Sequence, residues 1–164
     1  MARKKTAGFK PKKIVQGQAK PQSWLHQAWP YSEEIKFKGI SKPVVFEGKD
    51  RNEIKAIYNK KVIAEGVVRN ALVKAFNLKC AELTGPNGVI YVNPAFRRKG
   101  ILTEMVARFE AAARQQGFKG LVAGVQADNE AMLAAVGKFG FKEIDKFYWD
   151  PHEQPRIIFF KKLS

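Results

Sequence analysis

Cysteine is close to absent. The 164 residues contain one, Cys80, together with two histidines, His26 and His152. One cysteine excludes an internal disulfide, and one cysteine with two histidines cannot supply the four ligands of a structural zinc site. No metal is expected, and a reducing compartment such as the cytoplasm is the simpler setting. Long apolar runs are absent as well. None reaches the roughly 18 residues that a membrane-crossing helix needs, and no apolar stretch follows the basic N-terminus, as a secretory leader requires. No internal repeat is visible. Acid is scarce: 15 Asp and Glu stand against 30 Lys and Arg, a formal charge of +15. Such an excess draws polyanions, whether nucleic acid, an anionic membrane surface or an acidic protein.

The scarcity of acid is greatest at the N-terminus. Residues 1–32 contain Arg3, Lys4, Lys5, Lys10, Lys12, Lys13 and Lys20, and the first carboxylate is Glu33. Glycine, proline and few aliphatics mark residues 1–22 as an arm that does not fold alone. Its expected partner is nucleic-acid phosphate or an acidic protein, which also suits a component of a larger assembly. Trp24, Leu25, Trp29 and Tyr31 are expected to dock the end of the arm onto the domain. The chain thus divides into a basic arm, residues 1–32, and one domain, residues 33–164.

What the domain does contain is enough apolar residue for a core, 45% of the chain. Ile35–Ile40 alternates apolar and basic residues, as a half-buried strand does. Val44, Val45 and Phe46 form another short strand. Asp50 is placed to cap a helix over Asp50–Asn59, with Ile54, Ile57 and Tyr58 at helical spacing. Lys61–Val68 reads as a strand or as a continuation of that helix, and Lys79–Leu83 as a strand before the turn Gly85-Pro86-Asn87-Gly88. Val89–Val92 is a compact apolar strand. Leu102, Met105, Val106, Phe109 and Ala113 fall on one stripe, so residues 101–116 form an amphipathic helix closed near Gly117. Leu121–Val125 is a buried strand, expected to run parallel to the strand that ends at Val92. Asp128 or Asn129 caps a second helix with Met132, Leu133 and Val136, ended by Gly140. Phe141–Trp149 and Arg156–Lys162 are strands. The order argues for an α/β (α+β) domain, a mixed sheet flanked by helices.

Chemistry concentrates in Val92-Asn93-Pro94-Ala95-Phe96-Arg97-Arg98-Lys99-Gly100-Ile101-Leu102. A strand passes through a basic turn straight into a helix, whose first N–H groups point back into the turn with the positive end of the helix dipole. Gly100 allows close approach to the backbone, and Arg97, Arg98 and Lys99 complete a site suited to a pyrophosphate. Cys80 lacks the histidine and orienting group of a nucleophile. Asp150-Pro151-His152-Glu153 reads as a polar turn, and Phe147, Tyr148 and Trp149 as strand packing.

Val92-x-Pro94-x-x-Arg97-Arg98-x-Gly100 resembles the acyl-CoA pyrophosphate loop of the GNAT superfamily of N-acyltransferases, Arg/Gln-x-x-Gly-x-Gly/Ala. Asn129, Met132, Val136, Gly140 and Phe141 stand at the spacings of its downstream signature. The resemblance covers residues 61–162 and is best over 88–142. It implies a mixed, largely antiparallel sheet, acetyl-CoA or another acyl-CoA as cofactor, and Val92, Arg97, Arg98, Lys99, Gly100, Ile101, Leu102 and Asn129 around it. Two positions depart from the pattern. Leu102 replaces the small residue that closes the loop, and Val136 the tyrosine that protonates the leaving thiolate in many members. The usual carboxylate on the strand before the loop is also missing, so Glu82 is the candidate base, and Tyr148 or Tyr91 the candidate acid. Two functions remain open: N-acyl transfer to an amine, or a scaffold kept as a nucleic-acid-binding or assembly module. Small proteins of this kind also resemble those encoded by tailed phages, which would place the chain in a virion.

Overall fold

The structure, a computed structural model, describes residues 31–49, 52–73, 78–85, 90–147 and 154–163. In chain order these form β1 (Tyr31–Ile35), β2 (Val44–Gly48), β3 (Glu53–Tyr58), β4 (Lys61–Val73), β5 (Leu78–Thr84), β6 (Tyr91–Val92), a short 3-10 turn (Pro94–Phe96), α1 (Ile101–Gln115), β7 (Gly120–Gln126), α2 (Glu130–Lys138), β8 (Lys142–Phe147) and β9 (Arg156–Lys162). The strands make one sheet in the order β1-β2-β3-β4-β5-β7-β9-β8, with β6 paired to β4. Among the described residues only β5 and β7 pair in parallel. The sheet is mixed and largely antiparallel.

One helix organises the core. Ile101, Met105, Phe109 and Ala112 are fully buried along α1, the stripe a core-facing helix requires. Alternation along the strands turns Phe46, Ala56, Ala64, Val68 and Leu83 to the same side. Gly66 lies directly beneath the helix: a Cβ there would stand 2.7 Å from the Phe109 ring. Val136 of α2 and Phe159 of β9 join the same apolar cluster. Residues one step out of phase, such as Glu65 on β4 and Glu82 on β5, face away from α1.

The C-terminal half follows its apolar pattern closely. Asn129 caps α2, its side chain accepting from the Met132 N–H at 3.1 Å, and Gly117 and Gly140 take positive φ just past the two helices. The N-terminal half departs from expectation twice. The strand expected over Ile35–Ile40 lies earlier, at Tyr31–Ile35. Phe37 and Ile40 are apolar because they pack from the following turn onto the core. The helix expected over Asp50–Asn59 is strand β3. A register shift between Ala56 and Ile57 breaks the two-residue alternation, which leaves Ile54, Ile57 and Tyr58 at a spacing that mimics a helix. Lys61–Val73 is strand throughout, which resolves the ambiguity there.

Of the strand expected over Val89–Val92, Val89 lies outside the described residues and Tyr91 and Val92 form β6. β6 holds two residues and lies against β4. It runs in the direction of β7, as expected, because β5 and β6 both oppose β4 while β5 parallels β7. The ladder partner of β7 is nevertheless β5. The basic arm, with Arg3, Lys4, Lys5, Lys10, Lys12, Lys13, Lys20, Trp24, Leu25 and Trp29, lies outside the described residues. So do Pro86–Gly88, Tyr148, Trp149 and Asp150–Glu153.

Candidate functional site

The site begins with a break in register. Val67 faces Thr84 and Ala64 faces Val92, so three steps back along β4 correspond to eight forward, five more than a continuous ladder allows. β5 and β6 are therefore one antiparallel partner of β4 interrupted by an excursion. The parallel pairing of β5 with β7 covers only Ala81–Leu121 and Glu82–Val122. Past Val122, β7 has no strand partner on that side among the described residues, and the sheet opens between β6 and β7.

At the mouth of this opening β6 passes into α1. Asn93 caps the 3-10 turn, accepting from the Ala95 N–H at 3.0 Å. The Arg97 guanidinium donates back to the Val92 carbonyl at 3.1 Å. Arg98 takes a positive φ of 59° and Gly100 one of 92°, which only glycine accepts cheaply. Gly100 caps α1 with no side-chain hydrogen bond, and the first intrahelical bond runs from the Glu104 N–H to the Gly100 carbonyl. The N–H groups of Ile101, Leu102 and Thr103 thus have no partner among the described residues and point at the turn, as the start of a helix dictates. This end of α1 can receive an anion.

Two other segments hold the turn in place, and neither was legible in the sequence. The Lys99 ammonium donates to the Gly39 carbonyl at 2.8 Å, and the Phe37 ring lies 3.5 Å from where a Cβ on Gly100 would stand. Both contacts come from the β1–β2 connection. The Tyr58 ring at the end of β3 packs on Phe96 with centroids 5.2 Å apart, and its hydroxyl bonds Ser41 at 2.7 Å. Arg97 and Lys99 therefore shape the turn, whereas exposed Arg98 has no bond among the described residues. Leu102 is half-buried and packs against the core cluster.

The remaining candidates separate clearly. Asn129 stands just beyond the end of β7, at the same end of the sheet as the β6–α1 turn, with its side-chain oxygen engaged in the α2 cap. Glu82 is half-buried at the last β5–β7 pair, where the strands part, and has no ion pair among the described residues. Tyr91 is 43% exposed on β6, across from Glu65. Val136 is core. Burial pushes the Cys80 thiol up, opposite to what a nucleophile needs. No group of three or more metal-ligating side chains occurs among the described residues, and no described helix is long and apolar enough to cross a membrane.

A buried ion cluster, invisible to the sequence, ties α1 to β1. Arg108 is 1% exposed and donates to Glu104 at 2.9 Å and to Glu33 at 3.3 Å. Its guanidinium lies 4.5 Å from the Phe46 ring centroid and 5.0 Å from that of Tyr31. Burial raises the Glu104 carboxyl above its usual range, against the pull of Arg108. Tyr31 is raised by burial too, again with Arg108 opposing.

The profile of the Acetyltransferase (GNAT) family matches residues 22–141. The chain belongs to that family. Solved structures agree on the fold. Ard1 from Thermoplasma volcanium is 15% identical, with a TM-score of 0.58 over 69% of this chain and 71% of its own. The ribosomal-protein-S18-alanine N-acetyltransferase from Escherichia coli is 22% identical, with a TM-score of 0.55 over 70% and 71%. A GNAT family acetyltransferase from Elizabethkingia anophelis, solved with acetyl-CoA bound, is 19% identical, with a TM-score of 0.55 over 72% and 76%. No curated protein matches. In this GNAT domain Arg97 and Gly100, the residues that resemble the family's loop pattern, lie in the turn between β6 and α1.

Proposed function

We propose that this GNAT domain binds an acyl-CoA at the β6–α1 turn and transfers the acyl group to an amine. The observation that carries this reading is the start of α1. An exposed glycine at φ 92° caps the helix without a side chain and leaves three N–H groups directed outward. A pyrophosphate fits those donors, and Arg98 stands free beside them. Leu102 supports the reading, since packing it inward leaves the turn clear. The opening between β6 and β7 would take the chain that leads to the thioester, with Val92 and Asn129 at its two rims.

Acyl-CoA, when bound, supplies an acyl group activated toward amines as a thioester. The amine nitrogen forms the new C–N bond as the C–S bond breaks, and the nitrogen sheds one proton while the sulfur gains one. Glu82, half-buried where β5 and β7 diverge, is the side chain proposed to accept the first. Tyr148 is the side chain proposed to supply the second.

Calorimetric titration of acetyl-CoA into the full chain at moderate salt tests the binding step. Saturable binding of one equivalent, lost in Gly100→Val, supports it; no binding overturns it. Low salt alone would mislead, because a chain of charge +15 attracts any polyphosphate. For chemistry, Glu82→Gln should lower kcat by about 10²–10⁴-fold with acetyl-CoA affinity unchanged. An unchanged kcat would remove Glu82 from the reaction.

A further inference from the structure

Both helices pack on one face of the sheet, Phe109 of α1 and Val136 of α2 sharing a single apolar cluster. Neither lies on the opposite face. Cross-strand partners point the same way, so the pairs Ile57–Val62, Glu65–Tyr91 and Phe147–Arg156 can be assigned to a side. Ile57 and Glu65 stand one step from buried Ala56 and Ala64, and Arg156 reaches over Gly124, one step from buried Val125. All three pairs therefore face away from the helices. Val62, Tyr91 and Phe147 are the large apolar side chains left exposed among the described residues, at 44%, 43% and 46%, and all belong to this face. Gathered on one uncovered face, they mark a surface that another segment covers.

The same face is acidic in a chain that is otherwise basic. Over β1–β5 it carries Glu34, Glu47, Glu53, Glu65 and Glu82 against Lys55 and Arg69. Lys55 is engaged by Glu53 at 3.1 Å, whereas Glu34, Glu47 and Glu65 make no hydrogen bond or ion pair among the described residues. The complementary charge lies in the chain itself. Residues 1–30, outside the described residues, carry seven cations and no acid, with Trp24, Leu25 and Trp29 toward their end. The segment joins β1 at Tyr31, beside a cavity of about 300 Å³ lined by Glu47 and Glu53 of this face. From Tyr31 back to Trp24 the chain reaches about 23 Å when extended, against about 14 Å across the three strand spacings from β1 to β4. The family profile begins at residue 22, which counts this stretch with the domain. We propose that residues 1–30 fold back over the sheet face opposite the helices, with Trp24, Leu25 and Trp29 on its apolar side chains and the cations upstream on Glu34, Glu47 and Glu65. Exposed ion pairs are individually weak, so the apolar contacts carry the docking and the charges set its register. A nucleic acid must then compete with the domain for the arm.

The full chain is treated with a water-soluble carbodiimide, which joins amines to carboxylates already in contact, and the linked peptides are mapped by mass. Mixing chains labelled with heavy and light nitrogen separates links within a chain from links between copies. Links within one chain from Lys4, Lys5, Lys10, Lys12, Lys13 or Lys20 to Glu34, Glu47 or Glu65 support the proposal. Their absence, or links between copies alone, overturns it. Trypsin gives a second reading, because cleavage of a docked segment follows the fraction released. Trp24→Ala combined with Trp29→Ala should speed cleavage after Lys12 or Lys13 by about tenfold. An unchanged rate would mean that the arm is not held by these side chains, and the proposal falls.

Discussion

Arg108 shows how much rests on a single side chain. Arg108→Met would strip the counter-charge from Glu104, which is only 8% exposed, and cost about 3–5 kcal/mol in urea unfolding. Removing both charges, by Arg108→Met with Glu104→Leu, should recover a good part of that loss, because no charge is then left buried. A double variant as unstable as the single one would show that the ion cluster has no special standing. The raised Glu104 carboxyl has a pH signature. A carboxyl whose folded pKa is raised binds its proton at higher pH in the folded chain than in the unfolded one. Its contribution to stability is therefore full at and below 4.5, the ordinary value, and is lost as pH rises through the higher folded value. The stability of the unmodified chain relative to Glu104→Gln should grow as pH falls from neutral toward 4.5, read from urea midpoints at each pH. Gly100 belongs at this scale too. Gly100→Ala places a side chain at φ 92°, which costs about 1–3 kcal/mol wherever the ligand sits. Its thermal midpoint and its acetyl-CoA affinity should both fall.

Among the elements, legibility tracked the regularity of burial. α1 and β7 were readable because their apolar residues follow one period from end to end, as Ile101, Met105 and Phe109 do. β3 was not, because the shift at Ala56/Ile57 moves the pattern across the sheet halfway along the strand. β1 was misplaced because Phe37 continues its alternation from a turn. The anion-binding turn itself was visible in Arg97–Gly100, while its supports were not. Gly39 lies 60 residues from Lys99, and no local pattern announces that bond. Leu102 illustrates the limit of reading a motif residue by residue. In the family pattern it looks obstructive, yet it is the half-buried second residue of α1 and packs inward. Leu102→Gly should consequently lower the free energy of urea unfolding by about 1–3 kcal/mol, for the lost apolar contact and the flexible helix start. Acetyl-CoA affinity should not improve. A tighter complex in this variant would show that the leucine does reach the turn.

The whole molecule is dominated by its charge. Seven cations in residues 1–22 without one acid should contact polyanion phosphate without sequence preference. If all seven displaced counterions, they would add about −6 to the slope of log K against log salt on duplex DNA. A chain beginning at Ser23 keeps nearly all of the family-matched region. Equal affinity and equal slope for the two lengths would assign the arm to some other partner. At the same scale, the five-residue excursion between β5 and β6 has a dynamic consequence. Because β6 and β7 stand apart in the folded chain itself, the space between them is formed during folding, and a ligand entering it has no ladder to break. Less binding energy is then spent on reorganisation. The same geometry leaves backbone amides of β7 beyond Val122, those directed away from β9, without a strand partner among the described residues. In hydrogen exchange these amides should trade deuterium rapidly in the middle of an otherwise protected sheet, and slow down once acetyl-CoA fills the space.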